Sequence, residues 1–143
     1  MPIKYDFNST ICQHVLKFTR GGWADTVLIN NGPEGSVHPI HQHGGWFWIV
    51  GEGQFKNKRI NRQFIKRWYE DGTLMTPFNN NRRSIAWNDP SSNQHILPKD
   101  VIMVPIRGYV IIRTHLDNPG TWLLHCHTDF HLSMGMALGK IMK

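Results

Sequence analysis

The hydrophobic residues of this 143-residue chain fall mostly in short runs separated by Gly, Pro and Asn, and not at helical spacing. Runs of four to eight residues rich in Val, Ile and aromatic side chains are typical of β-strands. Many such strands with turn signals between them predict an antiparallel sandwich or barrel. The runs are HVLKF from His14, DTVLIN from Asp25, GWFWIVGEG from Gly45, DVIMVP from Asp100, GYVIIRTHL from Gly108 and TWLLHCH from Thr121.

Helical patterns are few. One is predicted near Arg62 to Glu70 and a second, short one from about Asp129 to Gly135. The polar stretch from Pro77 to His95 reads as a long loop. The length suits one domain and is short for two, so we expect residues 1–143 to form a single all-β domain, either whole or incomplete at its N-terminal edge.

Composition and charge exclude some classes. Hydrophobic residues make up 40% of the chain, which supports a buried core, and we expect Trp46 and Trp48 to pack in it. No apolar run is long enough to span a membrane, and the N-terminus has no apolar segment typical of a signal peptide. The net charge of +6 is concentrated between Lys56 and Arg67, which we interpret as a solvated surface because no nucleic-acid motif accompanies it.

Two histidine clusters carry the chemistry. The first is VHPIHQHGGWFW, from Val37, and the second is LLHCHTDFHLSMGM, from Leu123. Because strand side chains alternate between faces, His41 and His43 point the same way. Cys126 points away from its neighbours His125 and His127. One strand can therefore direct a thiolate to one metal site and imidazoles to another, joined by the peptide units beside Cys126.

The ligand types favour copper at the thiolate. A cysteine with two imidazoles and a weak thioether is typical of a blue-copper electron-transfer site. Cys126, His131 and Met136 have the spacing C-x4-H-x4-M, and His38 is the candidate fourth ligand. Zinc is the alternative, although zinc sites more often use paired cysteines. Asp129 is either an acceptor that orients an imidazole or relays protons, or a helix N-cap.

At these motifs the sequence resembles the last cupredoxin domain of multicopper oxidases, the laccase family. The matching stretches are HPIHQHG, HCHTDFHLSMGM and the approach DNPGTWLLHCH. The resemblance implies a Greek-key cupredoxin fold, copper as the cofactor, oxidation of phenols, aromatic amines or metal ions coupled to reduction of O2, and a secreted protein. By position it assigns His38, Cys126, His131 and Met136 to type 1 copper, His41 to type 2 copper, and His43, His125 and His127 to type 3 copper.

One part of the family pattern is missing. The family completes its trinuclear copper cluster with two further H-x-H pairs, whereas the remaining histidines here, His14, His95 and His115, are isolated. The chain therefore needs another cupredoxin domain or chain, or a second copy of itself in a homo-oligomer. The alternative is a stand-alone cupredoxin that carries electrons or binds copper without oxidase activity.

Overall fold

A computed structural model of the protein describes residues 14–32, 36–55 and 97–143. These residues form eight strands and one short helix. The elements are β1 (Val15–Phe18), β2 (Trp23–Asn30), β3 (His38–Gln42), β4 (Phe47–Gln54), β5 (Val101–Val104), β6 (Gly108–His115), β7 (Gly120–Cys126), α1 (Asp129–Ser133) and β8 (Ala137–Met142).

The strands form two sheets. The larger has the order β1-β8-β7-β3-β5 and the smaller the order β2-β6-β4. Neighbours are antiparallel except β1 and β8, which pair in parallel, so the expected antiparallel sheet has one parallel edge. The chain passes between the sheets several times, as in a cupredoxin sandwich, and the all-β prediction is confirmed.

One hydrophobic cluster lies between the two sheets, and a second, of Val50, Tyr109 and Ile111, lies on the other face of the smaller sheet. Val104 of the larger sheet packs against Phe47, Val110 and Ile112 of the smaller one, and all four are at most 3% exposed. Alternation along each strand directs every second side chain into this layer. The neighbours on the opposite face of the larger sheet remain available for other contacts.

The register of the larger sheet decides which histidines share its outer face, the face turned away from the smaller sheet. Residues directly opposite in an antiparallel ladder point to the same side. His41 lies opposite both His125 of β7 and Val101 of β5, while Ile40 lies opposite Cys126. His41 and His125 are therefore on the outer face, and the Cys126 side chain enters the sandwich.

Some expectations from the sequence differ from the structure. The six predicted runs contain β1, β2 and β4 to β7. Strand β3 was assumed only in the alternation argument for His41 and His43, and β8 was not predicted. Trp46 is 59% exposed, so its assignment to the core was wrong. The predicted helix near Arg62, the long loop from Pro77 and the basic segment lie outside the described residues. In the part of the chain that the structure describes, no helix is long and apolar enough to cross a membrane.

Candidate metal centre

The first donor cluster consists of His38, Cys126 and His131. The Nδ1 atoms of His38 and His131 are 3.2 Å apart. The Cys126 Sγ lies 3.5 Å from the His131 Nδ1 and 3.8 Å from the His38 Nδ1. Residues up to 93 positions apart in the chain thus bring three metal-binding atoms to one point.

These distances fit a single ion. With metal–nitrogen bonds of about 2.0–2.1 Å and a metal–sulfur bond of about 2.3 Å, trigonal or tetrahedral geometry separates two nitrogens by roughly 3.3–3.6 Å and nitrogen from sulfur by roughly 3.5–3.8 Å. All three measured separations are within about 0.1 Å of these ranges. One thiolate with two imidazoles is the donor set that copper electron-transfer sites use.

Three different elements supply the donors of this cluster. His38 begins β3, Cys126 ends β7 and His131 lies in α1. The main chain joins the first two, because the His127 N–H donates to the Pro39 carbonyl over 2.7 Å. The Cys126 thiol is fully buried, which shields it from solvent and from oxidation.

The main chain of Met136 contacts the first cluster. Its carbonyl accepts a hydrogen bond of 2.9 Å from the Cys126 N–H. Met136 and Cys126 also line a cavity of about 180 Å³ together with Ile40 and Leu124. The side chain of Met136 is 39% exposed, and its role as a weak fourth ligand remains a prediction.

Asp129 is not a helix N-cap. Thr128 occupies the cap position, and Asp129 is the first residue of the helix, where its charge suits the helix dipole. Within the described residues, its carboxylate forms no hydrogen bond or ion pair. A role for Asp129 in orienting a histidine or relaying protons therefore stays a prediction.

The second donor cluster lies on the outer face and contains His41, His43 and His125. One nitrogen from each falls within 4.8 Å of the other two. The Nε2 atoms of His43 and His125 are 3.1 Å apart. The His127 ring lies beside them, with its centroid 5.6 Å from the rings of His41 and His125, but outside that set of mutually close atoms.

Hydrogen bonds orient two of these rings. The His41 Nδ1–H donates to the Asp100 carbonyl over 2.9 Å. The His125 Nδ1–H donates to the carbonyl of Cys126 over 2.9 Å. Each bond fixes the tautomer in which Nε2 carries a free lone pair, as is usual for metal-binding histidines.

The lowered pKa values of two histidines favour the neutral form that binds metals. Burial lowers the pKa of His38, and the neighbouring His131 lowers it further. Burial also lowers the pKa of His43, and its neighbours His41, His125 and His127 add to the effect. Loss of solvation and neighbouring imidazoles thus disfavour the protonated form of these two histidines.

His43 depends on a tight turn because it follows the last residue of β3. Gly44 has a φ of +79°, and a Cβ built there would overlap the Trp122 ring. The Gly44 carbonyl accepts a hydrogen bond of 2.9 Å from the Asn118 side chain. The His43 N–H donates to the Leu123 carbonyl over 2.8 Å. This packing leaves room only for glycine at position 44.

We expect Gly44→Ala to lower the free energy of unfolding by about 2–4 kcal/mol, from left-handed backbone strain and overlap with Trp122. Gly21→Ala is the control, since Gly21 has a φ of +94° but nothing within 4 Å of its added Cβ. The control should lose only about 1–2 kcal/mol in urea unfolding. Equal losses in both variants would contradict the role of the Trp122 contact.

The two clusters are connected through neighbouring residues of β7. Cys126 belongs to the first, and its neighbour His125 belongs to the second, on the opposite face of the same strand. A single peptide unit therefore links the thiol-bearing residue to an imidazole of the other cluster. His127, on the far side of Cys126, lies beside the second cluster as well.

Two features near the clusters escaped sequence reasoning. The Asp100 carbonyl that orients His41 is a main-chain atom, so no residue type could have indicated it. Gln42 and Lys140 form a buried hydrogen bond on the inner face. The only signal for that pair is a lysine among the alternating apolar residues of ALGKIM, from Ala137.

Comparison with known proteins agrees with this geometry. Residues 4–142 match the family model described as multicopper oxidase. The chain is 35% identical over 117 residues to Laccase-1 of Botryotinia fuckeliana, covering 82% of this chain and 16% of that protein. It is 30% identical over 148 residues to L-ascorbate oxidase of Cucumis sativus, covering 96% of this chain and 21% of that protein.

A solved structure shows the same fold. The crystal structure of laccase from Botrytis aclada superimposes with a TM-score of 0.58 at 29% identity, over 94% of this chain and 21% of that one. The chain thus spans 16% to 21% of the length of these relatives. The family match over nearly the whole chain and the two donor clusters lead to one conclusion: this chain belongs to the multicopper oxidase family.

Proposed function

We propose that the chain is the copper-binding domain of a laccase-like oxidase that takes single electrons from a reductant and delivers them to O2. The observation that carries the proposal is the pair of donor clusters on opposite faces of β7, joined at Cys126. Copper is the cofactor that the family implies, and the thiolate and imidazole donors suit it. When bound, copper supplies one-electron redox chemistry.

In this proposal the first cluster binds type 1 copper. His38, Cys126 and His131 would be its ligands, with Met136 as a weak fourth ligand. Helix α1 carries His131 beside Phe130, which is 68% exposed, so the reductant can approach the imidazole edge from solvent. An exposed aromatic ring beside this edge suits phenols and aromatic amines, and metal ions are the alternative reductants.

The second cluster and the neighbouring His127 together would supply the donors for half of a trinuclear site. His41 would bind the type 2 copper, and His43, His125 and His127 would bind the type 3 coppers. The Cys126 backbone connects the two clusters directly, and we propose it as the path of the electron to His125 and His127. Asp129 keeps its two candidate roles, positioning a histidine or moving protons.

A second cupredoxin domain or chain would complete the site. The outer face carries apolar residues that are unusually exposed for a sheet: Val101 at 43%, Met103 at 49% and Leu123 at 37%. The strand register places them on the same face as His41 and His125. A partner that covers this face and brings two H-x-H pairs would bury these residues and finish the cluster. A second copy of the chain would cover the same face without such pairs.

The resemblance to laccases favours an extracellular location. A stand-alone electron carrier is not favoured, because a one-copper protein has no use for four imidazoles on the outer face.

Copper content, mass in solution and oxygen consumption of the purified chain test this function together. We expect the monomer to bind a type 1 copper and to oxidise about one equivalent of a one-electron donor. It should not sustain O2 reduction, since half of the cluster donors are missing. Adding a partner cupredoxin domain with two H-x-H pairs, either fused to this chain or as a separate chain, should restore turnover.

Two outcomes would contradict the proposal. Sustained oxygen consumption by a chain shown to be monomeric would refute the need for a partner. Failure of the chain to bind copper or accept an electron from any donor would refute the oxidase function itself.

A further inference from the structure

A buried polar network lies on the inner face, beneath the second cluster. The Gln42 Oε1 accepts hydrogen bonds from the Lys140 Nζ at 2.6 Å and from the Thr114 Oγ1 at 3.2 Å. All three residues are at most 2% exposed. Gln42 and Lys140 come from the larger sheet and Thr114 from the smaller one, so the network ties the two sheets together.

The lysine makes this network costly. No carboxylate in the described residues lies within 4 Å of the Lys140 ammonium, whose other contact is the Phe18 ring, 5.6 Å from its centroid. Burial lowers the pKa of Lys140 to about 8. If the only role of this side chain were packing, an apolar side chain of similar volume would make the protein more stable. A buried cation with neutral partners therefore suggests a role besides packing.

Gln42 connects the network to the second cluster, because it lies between His41 and His43 in the sequence. The Gln42 Nε2 also donates, over a long 3.4 Å, to the Gly45 carbonyl in the turn that follows His43. On the main chain, the Gln42 N–H donates to the Asp100 carbonyl over 2.8 Å. The same Asp100 carbonyl accepts from the His41 ring. The amide is thus an inner-face anchor for a segment whose imidazoles point outward.

We propose that Lys140 is a positioning residue that acts through Gln42. It holds residues 41–43 so that the rings of His41 and His43 point to His125 and form the second cluster with it. Lys140 is on the opposite face of the sheet from both rings, so it binds neither the metal nor the reductant. The role rests on the proposed function, in which these imidazoles bind metal. Thr114 shares the same acceptor and supports the orientation of the amide.

The test separates positioning from folding by removing both partners. Gln42→Leu alone leaves a buried ammonium without an acceptor and should destabilise the fold strongly. The double variant Lys140→Met/Gln42→Leu replaces the pair with apolar side chains and leaves only the neutral Thr114 hydroxyl without its acceptor, so it should lose far less stability than Gln42→Leu alone. Ile112→Val is the control, because it removes one buried methylene two residues from Thr114 without touching Gln42.

Zn(II) titration of the chain, followed by imidazole NMR, reports both clusters in one experiment. His41, His43 and His125 report the second cluster, and His38 and His131 serve as the internal reference. We expect the double variant to bind Zn(II) at the second cluster about 10–100-fold more weakly, with the first cluster and the Ile112→Val control unchanged.

The outcomes distinguish the positioning role of Lys140 from the metal-binding role of the second cluster. A parent chain whose second cluster does not respond to Zn(II) would refute the metal role of these histidines, and with it the proposed function. A parent that binds Zn(II) at the second cluster while a folded double variant binds it equally well would overturn only the positioning role. An equal weakening at both clusters would also overturn it, because that result indicates a general loss of structure.

Discussion

Replacing Cys126 with serine is expected to abolish the intense visible absorption that a copper–thiolate bond gives the chain with Cu(II). Serine has nearly the same size but keeps its proton at neutral pH, so the site loses its thiolate donor. Loss of a residue that merely orients a ligand costs roughly 10–100-fold in metal affinity, and loss of the ligand itself should cost at least as much. Absorption spectra and Cu(II) titration measure both effects.

The chain offers a matched control for this prediction. Cys12 is its only other cysteine, and Cys12→Ser should leave the absorption unchanged. Urea unfolding of the metal-free variants checks that both fold. If the band persisted in Cys126→Ser, the thiolate could not be a ligand, and the assignment of type 1 copper would be lost.

Local spacing explains why so much of the candidate site was predictable. His125, Cys126 and His127 are consecutive, and a strand necessarily places the middle residue on the face opposite to the other two. The strand prediction for TWLLHCH was sufficient to separate the thiol from the imidazoles. Pairing of His41 opposite His125 then followed from the fold, because β3 and β7 are neighbours in the sheet.

Other features depended on contacts between distant segments. Strand β8 was not predicted, since its sequence ALGKIM contains a glycine and a lysine, residues that are uncommon in buried strands. The lysine is compatible with burial only because Gln42, 98 positions earlier in the chain, accepts its hydrogen bond. Single-residue propensities carry no information about such a partner.

The tryptophan assignment was wrong for a related reason. Trp46 follows the Gly44–Gly45 turn and precedes β4, so strand alternation does not apply to it, and 59% of the residue is exposed. Trp46 instead lines an open groove together with His41 and Asp100. Hydrophobicity alone indicated that Trp46 is buried. In the structure it lies between the glycine turn and β4, and its side chain is exposed.

The stability of the protein is expected to rise as the pH increases from about 8 to about 10.5, because Lys140 is buried. Its pKa is lowered from 10.5 to about 8 by loss of solvation. Between these values the unfolded chain binds the proton and the native state does not, so raising the pH favours the native state. The shift corresponds to a cost of about 3 kcal/mol below pH 8, which disappears above the unfolded pKa.

Comparison with Lys140→Met isolates this contribution from the other groups that titrate in the same range. Urea unfolding at several pH values should show the parent gaining about 2–3 kcal/mol relative to the variant between pH 7.5 and 10.5. Lys17→Met is the control, since Lys17 is exposed on β1 and its replacement should leave the slope of the parent unchanged. Parallel curves for the parent and Lys140→Met would mean that the ammonium is solvated in the native state. In that case an apolar replacement would not stabilise the chain, and the cost of burying Lys140 would no longer indicate a role besides packing.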